Sequence, residues 1–300
     1  MEERSEHVRG FEDLRESGAR AVKAGRLAEA LAIFGQCIAW AELHGSAGQQ
    51  DLAFCNRAAA AIELGLGDGE LGRLREILMR RNCGTGYLAA YNIARHYELS
   101  KSYRKALFYA RIARERAENL DRGDWLASSL NLMGNTLLAE SLVADATRQY
   151  ELALELTPPE PSVARGMVFD NLGYCRVLQG KHREGHSLLL QSLRMLRRLG
   201  PEAYQIPPRL DLCFLHIETG RYDQALYQGT RALALAERIG ESDAAKNALY
   251  LLGEAENLRG NVPGARAYFG RLQNEFFPDA SYLPGFLLAV DVRKLVNLHA

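Results

Sequence analysis

Proline is missing from the first 157 residues of this 300-residue chain, and all nine prolines fall from Pro158 onward. β-Branched residues are scarce as well: Val, Ile and Thr together number 25, against 41 Ala and 47 Leu. A long proline-free stretch can carry uninterrupted helices, and so few β-branched residues argue against a sheet-rich fold. Neither sign of charge is in excess, since Lys+Arg and Asp+Glu both number 37. A phosphate-neutralising nucleic-acid binder would show a basic surplus, so direct nucleic-acid binding is not expected. No long hydrophobic run is present. The apolar stretch Phe286 to Val290 is cut off by Asp291, Arg293 and Lys294 and is too short to span a membrane. The segment Met1 to Glu16 is charged and lacks the apolar core of a secretory signal. Cysteine is limited to Cys37, Cys55, Cys83, Cys175 and Cys213, an odd number without a CxxC pair. These read as reduced, mostly buried residues of a cytoplasmic protein rather than a disulfide framework. What remains, 47% hydrophobic and 25% charged, is the composition of a folded helical chain rather than a disordered one.

Self-similarity supplies the architecture. Six segments share one turn pattern: Gly25 to Ala30, Lys101 to Ala106, Ser141 to Ala146, Gly180 to Gly185, Gly220 to Ala225 and Gly260 to Ala265. Each opens on a turn-permissive or polar residue and reaches a small residue five places later. From Lys101 onward the spacings are 40, 39, 40 and 40, and the 76 residues from Gly25 to Lys101 hold two units, with the missing turn in Gly65 to Gly69. Seven units follow, about 11–45, 50–82, 85–120, 124–158, 162–199, 203–240 and 243–277. A small residue recurs about seven places before each turn: Gly18, Ala58, Ala94, Gly134, Gly173, Cys213 and Gly253. Antiparallel helices approach closely only where small side chains sit at the crossing, so Gly18 is expected to face Ala30, Gly134 to face Ala146 and Gly253 to face Ala265. Most prolines mark seams between units, and Pro263 falls at the start of a second helix, where its missing N–H costs little.

The turn Gly220-Arg-Tyr-Asp-Gln-Ala225, the ending Leu156-Thr-Pro158 and the sevenfold recurrence resemble the tetratricopeptide repeat over about residues 11–277. Most units are longer than its basic 34 residues, and that longer form resembles the repeats of kinesin light chains and of bacterial regulator sensor domains. The resemblance implies an all-α fold, a right-handed α-solenoid superhelix of about seven helix hairpins. Residues 283–300 add a C-terminal capping helix, with Phe286, Leu287, Val290, Leu295 and Leu298 on one face from Leu283 to His299. A solenoid needs such a cap over its last hydrophobic face; the alternative use of that face is a dimer contact.

Few motifs carry chemistry. Gly67 to Gly72 matches G-x-G-x-x-G, but an Ala-rich helix precedes it and Asp68 and Glu70 would repel phosphate, so it reads as an interhelical turn. His182 and His186 lie at i and i+4 without the adjacent Glu or the third ligand of a zinc-protease site, so no metal is expected. Cys83, beside Arg80 and Arg81, is the one candidate for a reactive thiol. The Arg- and Lys-bearing second helices of the third unit (Arg104, Lys105, Arg111, Arg114, Arg116) and the fifth (Arg194, Arg197, Arg198) read as solvated faces. No catalytic constellation and no cofactor motif is present, so the chain reads as a non-enzyme.

In the repeat family the first helix of each unit lines the concave face. Its inward positions here hold Arg15, Asn56, Tyr91, Asn92, Arg95, Ser128, Asn131, Asn135, Asp170, Asn171, Tyr174, Phe214, Asn247, Tyr250, Glu254 and Asn257. Asparagine is a poor helix-interior residue, so its recurrence at one phase calls for a reason. A carboxamide both donates and accepts, and a row of them suits the main chain of an extended peptide, with Tyr91, Tyr174, Phe214 and Tyr250 adding apolar area. The runs Leu130 to Gly134 and Asp170 to Gly173 resemble the Asn-Leu-Ala/Gly motif of the kinesin light chain type, whose asparagines hold peptide backbone. Arg15 and Arg95 lie toward the N-terminal half of the face, and Asp170, Asp211 and Glu254 toward the C-terminal half. The implied complement is a segment acidic where it meets the first half and basic where it meets the second. Cys55-Asn-Arg-Ala-Ala59 also resembles a carboxylate-clamp repeat, but Ala19 stands where that clamp uses Asn and the third unit lacks its two cations. The sequence thus points to a cytoplasmic interaction scaffold binding an extended peptide or partner segment in its groove. The alternative is a peptide-responsive regulator acting through a second protein.

Overall fold

In the computed structural model, which describes residues 2–80, 84–293 and 297–299, 82% of the chain is helical and no strand occurs among the described residues. Two compact units divide the chain, Met1–Thr157 and Pro158–Ala300. The first contains α1 (Glu2–Lys23), α2 (Leu27–His44), α3 (Ala47–Glu63), α4 (Leu71–Met79), α5 (Gly84–Leu99), α6 (Tyr103–Asn119), α7 (Gly123–Ala139) and α8 (Val143–Leu156). The second contains α9 (Val163–Leu178), α10 (His182–Leu199), α11 (Ile206–Glu218), α12 (Tyr222–Ile239), α13 (Ser242–Leu258), α14 (Val262–Phe276) and the short α15 (Leu283–Ala289). Within each unit most helices pack against the next in sequence, and the first helices of successive hairpins also touch: α3 with α5, α5 with α7, α9 with α11, and α11 with α13. The second hairpin is irregular. A 3-10 turn over Gly67–Glu70 precedes α4, which has only 9 residues and packs on α5.

The seven hairpin turns share one backbone device. Gly25, Gly65, Lys101, Ser141, Gly180, Gly220 and Gly260 all have positive φ, between 56° and 89°. The N–H of the following residue donates to the carbonyl five places back, from Arg26 to Ala21 through Asn261 to Glu256, at 2.8–2.9 Å. This left-handed C-terminal cap satisfies carbonyls that a helix end leaves orphaned, and it reverses the chain within two residues. Glycine adopts the conformation freely; Lys101 and Ser141 adopt it against the steric preference of an L-residue. The missing turn of the second hairpin is therefore at Gly65.

The small residues before each turn face the second helix. A Cβ on Gly18 would collide with the Phe34 ring, one on Gly134 with Tyr150 and one on Gly253 with Phe269. In the fifth hairpin a Cβ on Gly185, the position matching Ala30, would lie 3.0 Å from the Gly173 carbonyl oxygen. The small residue thus meets both that position and the side chain one helical turn beyond it, which leans back over the turn N-terminal to its own Cα. The seven pairs are Gly18/Phe34, Ala58/Leu74, Ala94/Ala110, Gly134/Tyr150, Gly173/Leu189, Cys213/Gly229 and Gly253/Phe269, each 16 residues apart. Size on one helix is traded against size on the other. A Cβ on Gly173 would lie 2.8 Å from Leu189, and in the sixth hairpin the glycine is on the second helix, where a Cβ would lie 3.1 Å from Cys213 Sγ. In these hairpins a small residue on one helix makes room for a large one on the other, as a close-packed interior requires.

The C-terminal segment departs from the sequence expectation. Helix α15 stops at Ala289, Val290 is extended, and residues 297–299 are not helical. Asp291 Oδ1 accepts the Arg293 N–H at 3.1 Å and Asn297 Oδ1 accepts the His299 N–H at 3.0 Å, local bonds that compete with helix. The expected cap helix does not run on to His299: one short helix is followed by described residues 290–293 and 297–299, none of them helical. Leu295, one residue of its proposed apolar face, lies outside the described residues.

Candidate functional site: the first-helix faces

In the first unit the candidate residues are engaged by their own neighbours. Arg15 Nε donates to Glu12 at 2.7 Å. Arg95 lies between two carboxylates, Nε to Glu63 at 2.7 Å and Nη1 to Glu98 at 2.6 Å. Asn92 is buried on α5, and its Nδ2 donates to the Cys55 carbonyl of α3 at 2.8 Å, which ties two first helices together. Asn135 Oδ1 accepts the Tyr150 hydroxyl at 3.0 Å, and Ser128 Oγ donates to the Asp124 carbonyl at 2.9 Å. Tyr91 stacks on Tyr87 at 5.9 Å between centroids, and Tyr87 stacks on Trp125 at 4.3 Å. Asn56 and Asn131 are half-buried on α3 and α7.

The second unit presents a different face. Helix α11 lies between α9 and α13, and the three bring Asp170, Tyr174, Asp211, Phe214, Asn247, Tyr250, Glu254 and Asn257 to the path of the C-terminal tail or its immediate surroundings. Two asparagines hold main chain: Asn247 Nδ2 donates to the Leu298 carbonyl at 3.0 Å and Asn257 Nδ2 to the Leu288 carbonyl at 3.4 Å. Two carboxylates hold side chains. Asp211, only 1% exposed, has its oxygens 3.1 and 3.2 Å from His299 Nε2, and Glu218 accepts from Arg293 Nη1 at 3.0 Å. Tyr174 stacks on the His299 ring at 4.3 Å and lies 5.8 Å from Phe214. Asn171 is half-buried on α9 beside these residues.

Burial governs the electrostatics of this face. Desolvation pushes the Asp170 carboxyl well above the usual carboxylate range, and the neighbouring Asp211 charge raises it further. Burial likewise raises Asp211, opposed by His299, and lifts Glu254 to about 7, with Arg293 as the opposing charge. Among the described residues Asp170 Oδ1, Glu254 Oε1 and the Tyr250 hydroxyl are buried without a hydrogen-bond partner. Such groups are rare in folded proteins and mark unfilled acceptor capacity.

Sequence reasoning missed Glu218, Arg293 and His299. The charges interrupting the apolar run at Asp291 and Arg293 are the signal that could have separated the tail from the cap helix. The other motifs resolve quietly. Asp68 is 3.3 Å from His96 and Glu70 receives Arg57 at 2.6 Å, so the Gly67–Gly72 segment is a pinned turn. His186 lies edge-on to His216 at 5.6 Å; burial lowers both, His216 to about 4. No group of three or more His, Cys, Asp or Glu among the described residues could hold a metal ion. Cys37, Cys55, Cys175 and Cys213 are free and buried, and burial pushes the Cys37 thiol up to about 11 and that of Cys213 to about 12. Cys83 lies outside the described residues. No described helix is long and apolar enough to cross a membrane.

No family model matches the chain, and no curated protein matches it. Solved structures do. A Rap protein complexed with competence and sporulation factor is similar at a TM-score of 0.69 and 13% identity, covering 95% of this chain and 79% of that one. The fold is that of a tetratricopeptide-type repeat protein. The apo form of RapI is similar at a TM-score of 0.60 and 14% identity, covering 90% of this chain and 77% of that one. PilW, a type IV pilus biogenesis factor, is similar at a TM-score of 0.58 and 20% identity, covering 79% of this tetratricopeptide-type chain and 98% of PilW. At these identities the likeness establishes the helical-repeat fold and leaves the role of the first-helix faces to their own chemistry.

Proposed function

We propose that this tetratricopeptide-type protein is a non-enzymatic interaction scaffold that binds an extended peptide or partner segment along its first helices. The observation that carries the reading is the use of Asn247 and Asn257, whose carboxamides donate to the main-chain carbonyls of Leu298 in the C-terminal tail and of Leu288 in the last turn of α15. Main-chain recognition by a row of carboxamides is sequence-tolerant, and the flanking Tyr174, Phe214 and Tyr250 add apolar contact. The structural likeness to a Rap protein in complex with competence and sporulation factor supports a ligand-binding use of the fold. The test is a pull-down from the native source with wild-type protein and with the Asn247→Ala/Asn257→Ala variant. The variant is expected to lose a partner that the wild type retains. Equal recovery of every partner would move the binding surface elsewhere.

A further inference from the structure

The first helices of the second unit already hold a separate segment, the end of α15 and the tail that follows it. Leu288 and Leu298 give their carbonyls to Asn257 and Asn247, while Arg293 and His299 meet Glu218 and Asp211. From α15 the tail therefore follows α13 from its C-terminal part, at Asn257, to its N-terminal part, at Asn247. Both kinds of contact are those an external peptide would make: sequence-independent bonds to main chain, and bonds from carboxylates to a guanidinium and an imidazole side chain.

We propose that the face formed by α9, α11 and α13 recognises a cationic segment, and that the last turn of α15 together with residues 290–293 and 297–299 occupies it in cis, so that a cationic ligand in trans binds by displacing them. The proposal rests on the peptide-binding reading above and adds the occupant and its charge. Two observations separate a displaceable occupant from a permanent plug. The tail leaves buried polar groups unfilled on the same face, at Glu254 and Tyr250, among the described residues. Each such group carries a desolvation penalty that a better-matched donor would relieve. The tail also holds its side-chain ion pairs at a partly open rim: the Arg293 and Glu218 side chains are 21% and 31% exposed. Rim pairs of this kind exchange readily, because solvent screens them. Against an external peptide the tail has the advantage of its tether, which for a short linker corresponds to an effective concentration of about millimolar.

The test uses the full chain and a fluorescein-labelled synthetic peptide of residues 288–300, read by fluorescence anisotropy. In the Arg293→Glu/His299→Glu protein the tail is repelled by Glu218 and Asp211, and the peptide is expected to bind at least tenfold more tightly than to wild type. Adding Asp211→Asn/Glu218→Gln to that variant should weaken peptide binding at least tenfold. An acidic peptide of equal length should not bind. Equal affinity for wild type and the charge-reversed chain overturns the proposal, as does absence of binding by a charge-reversed chain with wild-type circular dichroism. Should charge reversal unfold the protein, Arg293→Ala/His299→Ala is measured instead, with at least a threefold gain expected and no gain overturning the idea. Failure here combined with partner loss in the pull-down removes only cis occupancy. Success here combined with full partner retention removes only the partner-binding reading.

Discussion

In the first unit Arg95 is clasped by Glu63 and Glu98 and Asn92 is bonded to the Cys55 carbonyl, whereas in the second Asp170 and Glu254 each keep a buried oxygen without a partner among the described residues. Both sets come from the same phase of the first helices. The difference lies in what the neighbouring helices offer. On α3 and α5, Glu63 and Glu98 stand close enough to neutralise a cation, and the Cys55 carbonyl stands where a carboxamide can reach it. On α11, Asp211 and Glu218 take their partners, His299 and Arg293, from the tail. A face closed by its own side chains is a structural seam; a face closed by a separate segment can be opened.

The largest effect that would probe this comparison lies beneath both faces, at the crossings. Gly134→Ala in the first unit and Gly253→Ala in the second each drive a methyl into a buried ring and should cost about 1–3 kcal/mol in chemical denaturation. The double variant Gly134→Ala/Tyr150→Leu recreates the Ala58/Leu74 pair and should be at least as stable as Gly134→Ala alone. If it loses further stability, size complementarity is not transferable between hairpins.

A middle-sized effect separates the two asparagine roles. Asn92→Ala removes a buried hydrogen bond between α5 and α3 and should destabilise by about 0.5–1.5 kcal/mol. Asn257→Ala, at a half-buried position with a longer bond to the tail, should change stability by under about 0.5 kcal/mol and instead speed hydrogen exchange in residues 288–293. Equal destabilisation by both would erase the distinction between seam and binding face.

The smallest effect concerns the turns. The hairpin turns of the second unit all use glycine at positive φ, while the first unit includes Lys101 and Ser141. Lys101→Gly and Ser141→Gly should each raise stability by about 0.5–1 kcal/mol, and Gly180→Ala should lower it by about 1 kcal/mol, in thermal melts. A loss on introducing glycine at Lys101 would mean that its side chain contributes more than its backbone strain removes.

Much of the fold was legible because its determinants are local. A left-handed residue every 36–40 positions and a small residue seven before it are statements about backbone and sequence spacing alone. The site was legible only in part. Phase marked Asn92, Asn247 and Asn257 alike, yet one bonds an adjacent helix and two bond the tail. The tail itself was hidden: Phe286, Leu287, Val290 and Leu298 have helical spacing, and a periodic pattern cannot report that Asp291 and Asn297 bond their own backbone instead.

By itself the sequence determined the helical class, the sevenfold hairpin repeat, the turn positions and the small residues at each crossing. These follow from propensity and periodicity, which act over a few residues. Only the tertiary structure decided that Gly18, Gly134 and Gly253 each lie against an aromatic ring of the second helix. It also placed Arg293 and His299 on the acids of α11. Those outcomes depend on distances between segments far apart in the chain, where volume and charge must be matched in space and no local pattern records the match.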